Sequence, residues 1–489
     1  MYKNKKEQNV KSKITEKGIT LVALVITIVI LIILATITIN VAFGEGGLIQ
    51  KAQQAKNLTE QATINEQKKL NGLMDEYANV MAEESEVPEP VANEVDPEPG
   101  PEPEPEPQPG DPVDGTLAEG PQVADGMIPV KYVEETGWVK TTAVDEEWYN
   151  YGEKKWANVV LGGSTFNTSG SYEVLDETKT YSMLVWIPRY AYKITSMYHQ
   201  SGSGAGNIEI VFLDTENKDK DGDDYSEKIE YPDASTGSGM TDYVVHPAFN
   251  WDEEPLAGFW VGKFETSNNG GKIQIMGGKQ SWGNITINNV YTKCIGMNNS
   301  GNSYGLSSDD NVVDPHMMKN TEWGAVAYLS QSKYGKNNNV TKNGSNYTGG
   351  GSGTSYRSNQ GQSTTGNVTG VYDMSGGAQE YVAAYKEPES SSSLVSAPAK
   401  YKDVYSSYTA PKSEGHYGDA IYETSSSRLS TSSSNSWYNT YSEFPLEGGN
   451  FFMRGGYYGS GFYVGIFCFN HGGSDGEGYI SFRVVVPVL

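Results

Sequence analysis

Between Ile19 and Ile39 the chain carries no charge, and only threonines interrupt its apolar run. About 20 predominantly apolar residues are needed to cross the hydrocarbon core of a bilayer, so this stretch predicts a membrane-spanning helix. Lys3, Lys5, Lys6, Lys11, Lys13 and Lys17 precede it, and the positive-inside bias assigns residues 1–18 to the cytoplasm. The remainder is then expected to be membrane-anchored at the cell surface. A proline-free composition rich in Ala, Gln, Glu, Lys and Leu extends the helical pattern, with a bend near Gly44 to Gly47, as far as Glu84.

From Ser85 the composition changes to alternating proline and glutamate, as in Pro101-Glu102-Pro103-Glu104-Pro105-Glu106-Pro107. Such a tract forms neither core nor helix and predicts a solvated spacer over 85–124. From about Asp125 onward, short apolar and aromatic runs are cut by Gly, Asn and Ser clusters. Val185 to Ile194, Ile208 to Phe212, Gly258 to Glu265 and Ile480 to Val486 read as strands. One helix is predicted over Thr321 to Ser330, with Thr321 as cap and Trp323, Val326, Ala327 and Ser330 on one face. The serine-rich stretch from Ser390 to Ser436 has no period and reads as a surface insertion. The expected fold class is therefore α+β: a long N-terminal helix, a linker, a β-rich lead-in over 125–180 and a distal domain over 181–489.

Lys and Arg number 36 against 61 Asp and Glu, a net charge of -25. That balance argues against nucleic acid or anionic lipid as partners of the exposed part. Cys294 and Cys468 are too far apart in sequence for a zinc motif, and two cysteines build no disulfide framework. His199, His246, His316, His416 and His471 form no spaced cluster. Asp219, Asp221 and Asp223 have the spacing of the first half of a calcium loop, but Lys228 stands where that loop needs a bidentate glutamate. Calcium is the sole cofactor these residues suggest, and a solvated acidic turn explains them as well.

Placement of Gly18 between the lysines and the apolar run resembles a type IV prepilin. The resemblance implies cleavage after Gly18 by a prepilin peptidase, methylation of Ile19, and packing against other pilin subunits. The family carries a glutamate where this chain has Ala23, a departure that suits a minor or tip subunit.

Distally, Leu256-Ala257-Gly258-Phe259-Trp260-Val261-Gly262-Lys263-Phe264-Glu265, Glu322-Trp323-Gly324-Ala325, Tyr372-Asp373-Met374-Ser375-Gly376-Gly377, Arg454-Gly455-Gly456 and Ser481-Phe482-Arg483-Val484 follow one another in order. Together they resemble the formylglycine-generating-enzyme-type variant of the C-type lectin fold. Structural roles suffice for these marks: positive φ at Gly376 and Gly377, a buried Glu380–Arg483 pair, and core positions for Trp323 and Tyr372. Catalytic members of the family hold copper on two closely spaced cysteines after the Arg-Gly-Gly element, whereas here Cys468 stands alone, so no catalysis is expected.

The same fold displays the variable stretches of proteins diversified by retroelements. Residues 457–476 contain Tyr, Phe, Val, Ile, Cys, Asn, His, Ser, Asp and Gly, all reachable by randomising adenines in an AAY codon. The candidate ligand-binding positions are Tyr457, Tyr458, Ser460, Phe462, Tyr463, Val464, Ile466, Cys468, Asn470 and His471, although Phe462, Ile466 and Phe469 also suit a core. The expected function is a pilin-like subunit displaying a domain for adhesion or for binding an extracellular protein or glycan. The alternatives are a formylglycine-generating-type oxidase and a purely structural minor pilin.

Overall fold

The computed structural model describes residues 112–113, 115–226, 239–389, 392–408, 417–426, 435–445, 450–461 and 464–489. The chain divides into two units, Met1–Pro103 and Glu104–Leu489, of which the first lies outside the described residues, as do Gly18, Ile19 and the expected helix over 19–84.

Short apolar runs separated by turn-forming residues favour strands that pair close in sequence. The first six are β1 (Met127–Val133), β2 (Gly137–Lys140), β3 (Asn158–Leu161), β4 (Phe166–Ser169), β5 (Tyr172–Leu175) and β6 (Met183–Pro188). After them come β7 (Tyr190–Ile194), β8 (Ile208–Phe212), β9 (Val244–Val245), β10 (Asn250–Trp251), β11 (Glu254–Pro255), β12 (Gly258–Gly262), β13 (Ser267–Asn269) and β14 (Lys272–Gln274). Helix α1 (Ile287–Ile295), β15 (His316–Met317) and helix α2 (Asn320–Gln331) follow. The chain closes with β16 (Gln379–Lys386), β17 (Asp403–Tyr405), β18 (Phe451–Arg454), β19 (Phe469–Gly472), β20 (Ile480–Phe482) and β21 (Val484–Val486).

A nine-stranded sheet runs in the order β15-β21-β12-β6-β3-β1-β2-β5-β4, so the lead-in strands share one sheet with strands from the end of the chain. A five-stranded sheet is ordered β17-β16-β18-β19, with β20 added parallel to β16. A third sheet has the order β8-β7-β9.

These findings correct the expected fold class. The described part is built mostly of β-sheet, and its two α-helices span 9 and 12 residues. The expected membrane-anchored location is corrected with it: among the described residues no helix is long and apolar enough to cross a membrane.

Two continuous apolar runs change sheets at a buried arginine. Val185 to Ile194 is β6 in the large sheet up to Pro188, then β7 in the small one, with Arg189 between them. Arg189 Nη1 donates to the carbonyl of Phe249 at 2.6 Å, and its Nε and Nη2 donate to Asn217 Oδ1 at 3.1 and 2.5 Å. Ile480 to Val486 divides in the same way at Arg483, with β20 on the five-stranded sheet and β21 on the nine-stranded one. Arg483 is fully buried, and its guanidinium meets Glu380 through two bonds of 3.1 and 2.5 Å. Its remaining donors reach the carbonyls of Gly262 at 2.7 Å and Tyr372 at 3.0 Å.

Every residue of α2 is buried, so the single apolar face read from the sequence is in fact the whole circumference. The helix starts one residue earlier than expected, and Lys319 replaces Thr321 as the cap. Its backbone N–H donates to Glu322 Oε2 at 2.8 Å, while Thr321 turns its hydroxyl to Asp403 at 3.1 Å. Burial pushes the Glu322 carboxyl up, but His316 and Lys319 outweigh it and hold the carboxyl below its ordinary range. Gly324 admits the backbone of Gly418, which a Cβ would meet at 1.7 Å.

The described portions of the serine-rich stretch are not a surface insertion. Within them Leu394, Tyr405, Tyr408 and Ile421 are buried, and β17 pairs with β16.

Arg483→Met should cost about 3–5 kcal/mol, because it strands the buried Glu380 carboxylate and two carbonyls. Urea denaturation of the full chain measures this. A cost of about 1 kcal/mol or less, the scale of an exposed ion pair, would mean that the arginine does not hold the sheets together.

Candidate ligand-binding site

The connection from β18 to β19 leaves Arg454 through Gly455 and Gly456, whose φ values of 80° and 69° suit glycine. Main-chain bonds then pin it. Gly455 O accepts from Gly465 N and from Gly376 N, each at 3.2 Å, and Tyr458 N donates to Gly377 O at 2.7 Å. The indole of Trp323 on α2 donates to Ile466 O at 2.7 Å.

That anchoring sorts the ten candidate positions. Val464, Ile466 and Cys468 are buried, so a ligand cannot reach them and they leave the candidate surface. Phe462 and Tyr463 lie outside the described residues. Tyr457, Tyr458 and Ser460 come together: the Tyr457 ring meets Tyr458 edge-on at 5.7 Å, and Ser460 N donates to Tyr457 O at 2.9 Å. Asn470 and His471 stand on β19, where Asn470 Oδ1 caps His471 N at 2.6 Å. His471 Nε2 lies 3.6 Å from Glu443 Oε1, and the Tyr441 hydroxyl donates to Glu443 Oε2 at 2.5 Å.

Two residues outside the predicted stretch touch this cluster, and a third lies on the same segment as one of them. Tyr479 packs on Tyr457 with ring centroids 4.7 Å apart, and it is 37% exposed, much as Tyr458 is at 36%. Lys342 donates its ammonium to the carbonyl of Ser460, and burial lowers its pKa. Tyr347, on the same 342–347 segment, is 41% exposed. A single compositional test over 457–476 could not find them. The available signal was the recurrence of tyrosine beside glycine or asparagine in turns, as at Tyr347 and Tyr479.

Beneath the surface lies a buried acidic group. Glu265 accepts the Ala378 N–H at 2.9 Å and the Ser281 hydroxyl at 2.5 Å, and a Cβ on Gly377 would sit 2.1 Å from its Oε1. Burial, then the nearby Asp373 and Glu380, push Glu265 well above the ordinary carboxyl range. A second group lies behind α2. Glu423 accepts the hydroxyls of Tyr192 and Tyr328 at 2.8 and 2.6 Å, and Asp419 accepts that of Tyr405 at 3.0 Å. Burial, with the neighbouring Glu423, raises Asp419 to about 8 despite Arg454.

The acidic loop closes as a turn. Asp219 Oδ1 accepts the backbone N–H groups of Asp221 at 3.0 Å and Asp223 at 2.9 Å, and Lys220 pairs with Asp221 at 2.8 Å. The three carboxylates therefore do not converge as ligands, and among the described residues no group of three His, Cys, Asp or Glu is placed to hold a metal ion. Cys294 and Cys468 are buried free thiols, and burial pushes Cys468 up to about 12.

No protein-family model matches the chain, and no curated protein matches it. Neither the prepilin nor the formylglycine-generating resemblance gains support from that quarter. Among solved structures the chain is similar to Treponema denticola variable protein 1, at 13% identity and a TM-score of 0.23, over 66% of this chain and 98% of that one. This is a distant neighbour of the kind the variable-protein resemblance named, and it is too loose to carry fold or function across.

Asp419 sets a pH dependence whose sign is fixed by its raised pKa. The folded state holds the proton more tightly than the unfolded chain, so the stability it contributes is complete below the unfolded value of 3.8 and is lost as pH rises through about 8. His246, lowered to about 3 by burial, acts only below its unfolded value of 6.5. Melting temperature should therefore fall between about pH 6.5 and pH 8 and level off above that, and Asp419→Asn should flatten the decline. An unchanged slope in the variant would place the titration elsewhere.

Proposed function

We propose that the described domain is a non-catalytic ligand-binding module whose contact surface is centred on Tyr457, Tyr458 and Tyr479. The carrying observation is the packing of these rings against one another on a main chain tied by backbone bonds to Gly377 and Gly455. Tyrosines offer large contact area at low conformational cost, and a rigid support lowers the cost further. Ser460, Asn470 and His471 add small polar groups nearby in sequence. Binding without chemistry is supported by the two thiols, which are buried, unpaired with each other and, in Cys468, far from the thiolate form that a copper site needs.

The reading also includes diversification of the exposed positions. Comparison of this gene between sister strains should show changes concentrated at Tyr457, Tyr458, Ser460, Asn470 and His471, with Val464 and Ile466 restricted to apolar residues. Uniform drift along the domain would remove diversification from the reading. At the protein level, Tyr458→Ala should change stability by no more than about 0.5 kcal/mol, since its ring is exposed and the bond that anchors it runs through its backbone. A larger loss, measured by thermal unfolding, would make the ring a structural element and would count against a binding role.

A further inference from the structure

Trp282 stands apart from the other tryptophans. The chain has nine, all among the described residues, and eight are buried while Trp282 is only partly buried. Its ring leans on Phe482 with centroids 5.8 Å apart, and its backbone N–H is fixed to Thr266 O at 2.8 Å. The indole borders a groove of about 330 Å³ between the β13–β14 hairpin and Gly478, at the small end of the range of ligand pockets.

The groove walls are polar but nearly uncharged. Carboxamides of Asn268, Gln274, Gln280 and Asn284 line it together with the hydroxyl-bearing Ser267 and Ser281. Among the described residues that line it, Lys279 is the only charged one and none is a carboxylate. Gln274 is 6% exposed, yet its partners are weak. Its Nε2 meets Met276 Sδ at 3.4 Å, and its Oε1 meets the Ser267 hydroxyl at 3.4 Å. A buried amide without good hydrogen bonds costs free energy, so this group stands to gain from a ligand that brings donors and acceptors to it.

We propose that this groove binds a neutral saccharide. Each carboxamide presents donors and an acceptor side by side, which matches sugar hydroxyls that both donate and accept. The partly exposed indole offers an apolar face to the C–H side of a pyranose ring. An anion would find a single cation here, and a cation would find no counter-charge. The groove lies beside Tyr479 in sequence but does not include Tyr458, so the proposal and the tyrosine surface can fail separately.

Saturation-transfer NMR on the full chain, with lactose, cellobiose, mannobiose and N,N′-diacetylchitobiose as probes, tests it. Sialyllactose and a neutral tetrapeptide serve as controls. At least one neutral disaccharide should bind at millimolar concentration, and the double variant Gln280→Ala, Asn284→Gly should weaken it about tenfold or more. Both residues are exposed and glycine accepts the φ of 55° at Asn284, so the double variant should melt close to the parent, and Trp282→Leu provides a second test of the same contact. Tyr458→Ala should leave saccharide binding unchanged. Failure of all four disaccharides to bind, binding that the groove variants do not weaken, or preference for sialyllactose or the peptide would each overturn the proposal.

Discussion

Arg483 ties the two larger sheets together at the point where the chain passes from one to the other. Its guanidinium joins Glu380 on β16, the carbonyl of Gly262 at the end of β12, and the carbonyl of Tyr372 in the loop before β16. Burying a charge is costly unless it is paired and its donors are met, and here all the bonds go to groups that a strand crossing between sheets leaves unmatched. The same solution recurs at Arg189, where β6 gives way to β7. In both places the chain departs from one sheet to join another, and a planar set of five donors collects the acceptors.

The candidate surface inherits its rigidity from this frame. Glu380 lies two residues beyond Ala378, whose N–H is held by Glu265, and Gly377 between the glycine turn and Ala378 accepts the N–H of Tyr458. The tyrosine loop is thus bonded to the same turn that the buried carboxylates position. Tight approach of Gly377 to Glu265 explains why a side chain is excluded there, independently of its positive φ of 77°.

Motifs with one structural solution were legible in the sequence. The positive φ at Gly376 and Gly377, the Glu380–Arg483 pair and the core placement of Trp323 and Tyr372 all follow from residue type in a fixed order. Sheet changes were not legible, because Val185 to Ile194 and Ile480 to Val486 are apolar on both sides of the arginine and period alone does not say which sheet a strand joins. The environment of α2 escaped for a related reason: its Thr, Ser, Asn and Gln residues look like a solvent face, yet they are buried against partners distant in sequence, such as Asp403 and Tyr438. The stretch from Ser390 to Ser436 hid Leu394, Tyr405 and Ile421 in a polar background without a period, although each packs into the core. At the site, a glycine-interrupted loop has no alternation from which to read inward and outward positions. Three of the ten candidates consequently proved to be core, while Tyr479, Tyr347 and Trp282 lay outside the stretch under consideration.

Fold determinants and contact positions alternate within the same short segment, and the way that segment is anchored keeps them separate. The bonds that hold it run through main-chain atoms at Gly455, Tyr458, Gly465 and Ile466, not through the side chains of Tyr457, Tyr458 or Ser460. Side-chain identity matters to the fold where the chain turns inward, at Val464, Ile466 and Cys468, because close-packed interiors register even a methylene. A backbone fixed in this way presents its outward side chains in constant geometry whatever they are. Main-chain hydrogen bonding thus meets the physical requirement that the proposed binding surface places on its support, and Arg483 bonds Glu380, three residues beyond the acceptor Gly377.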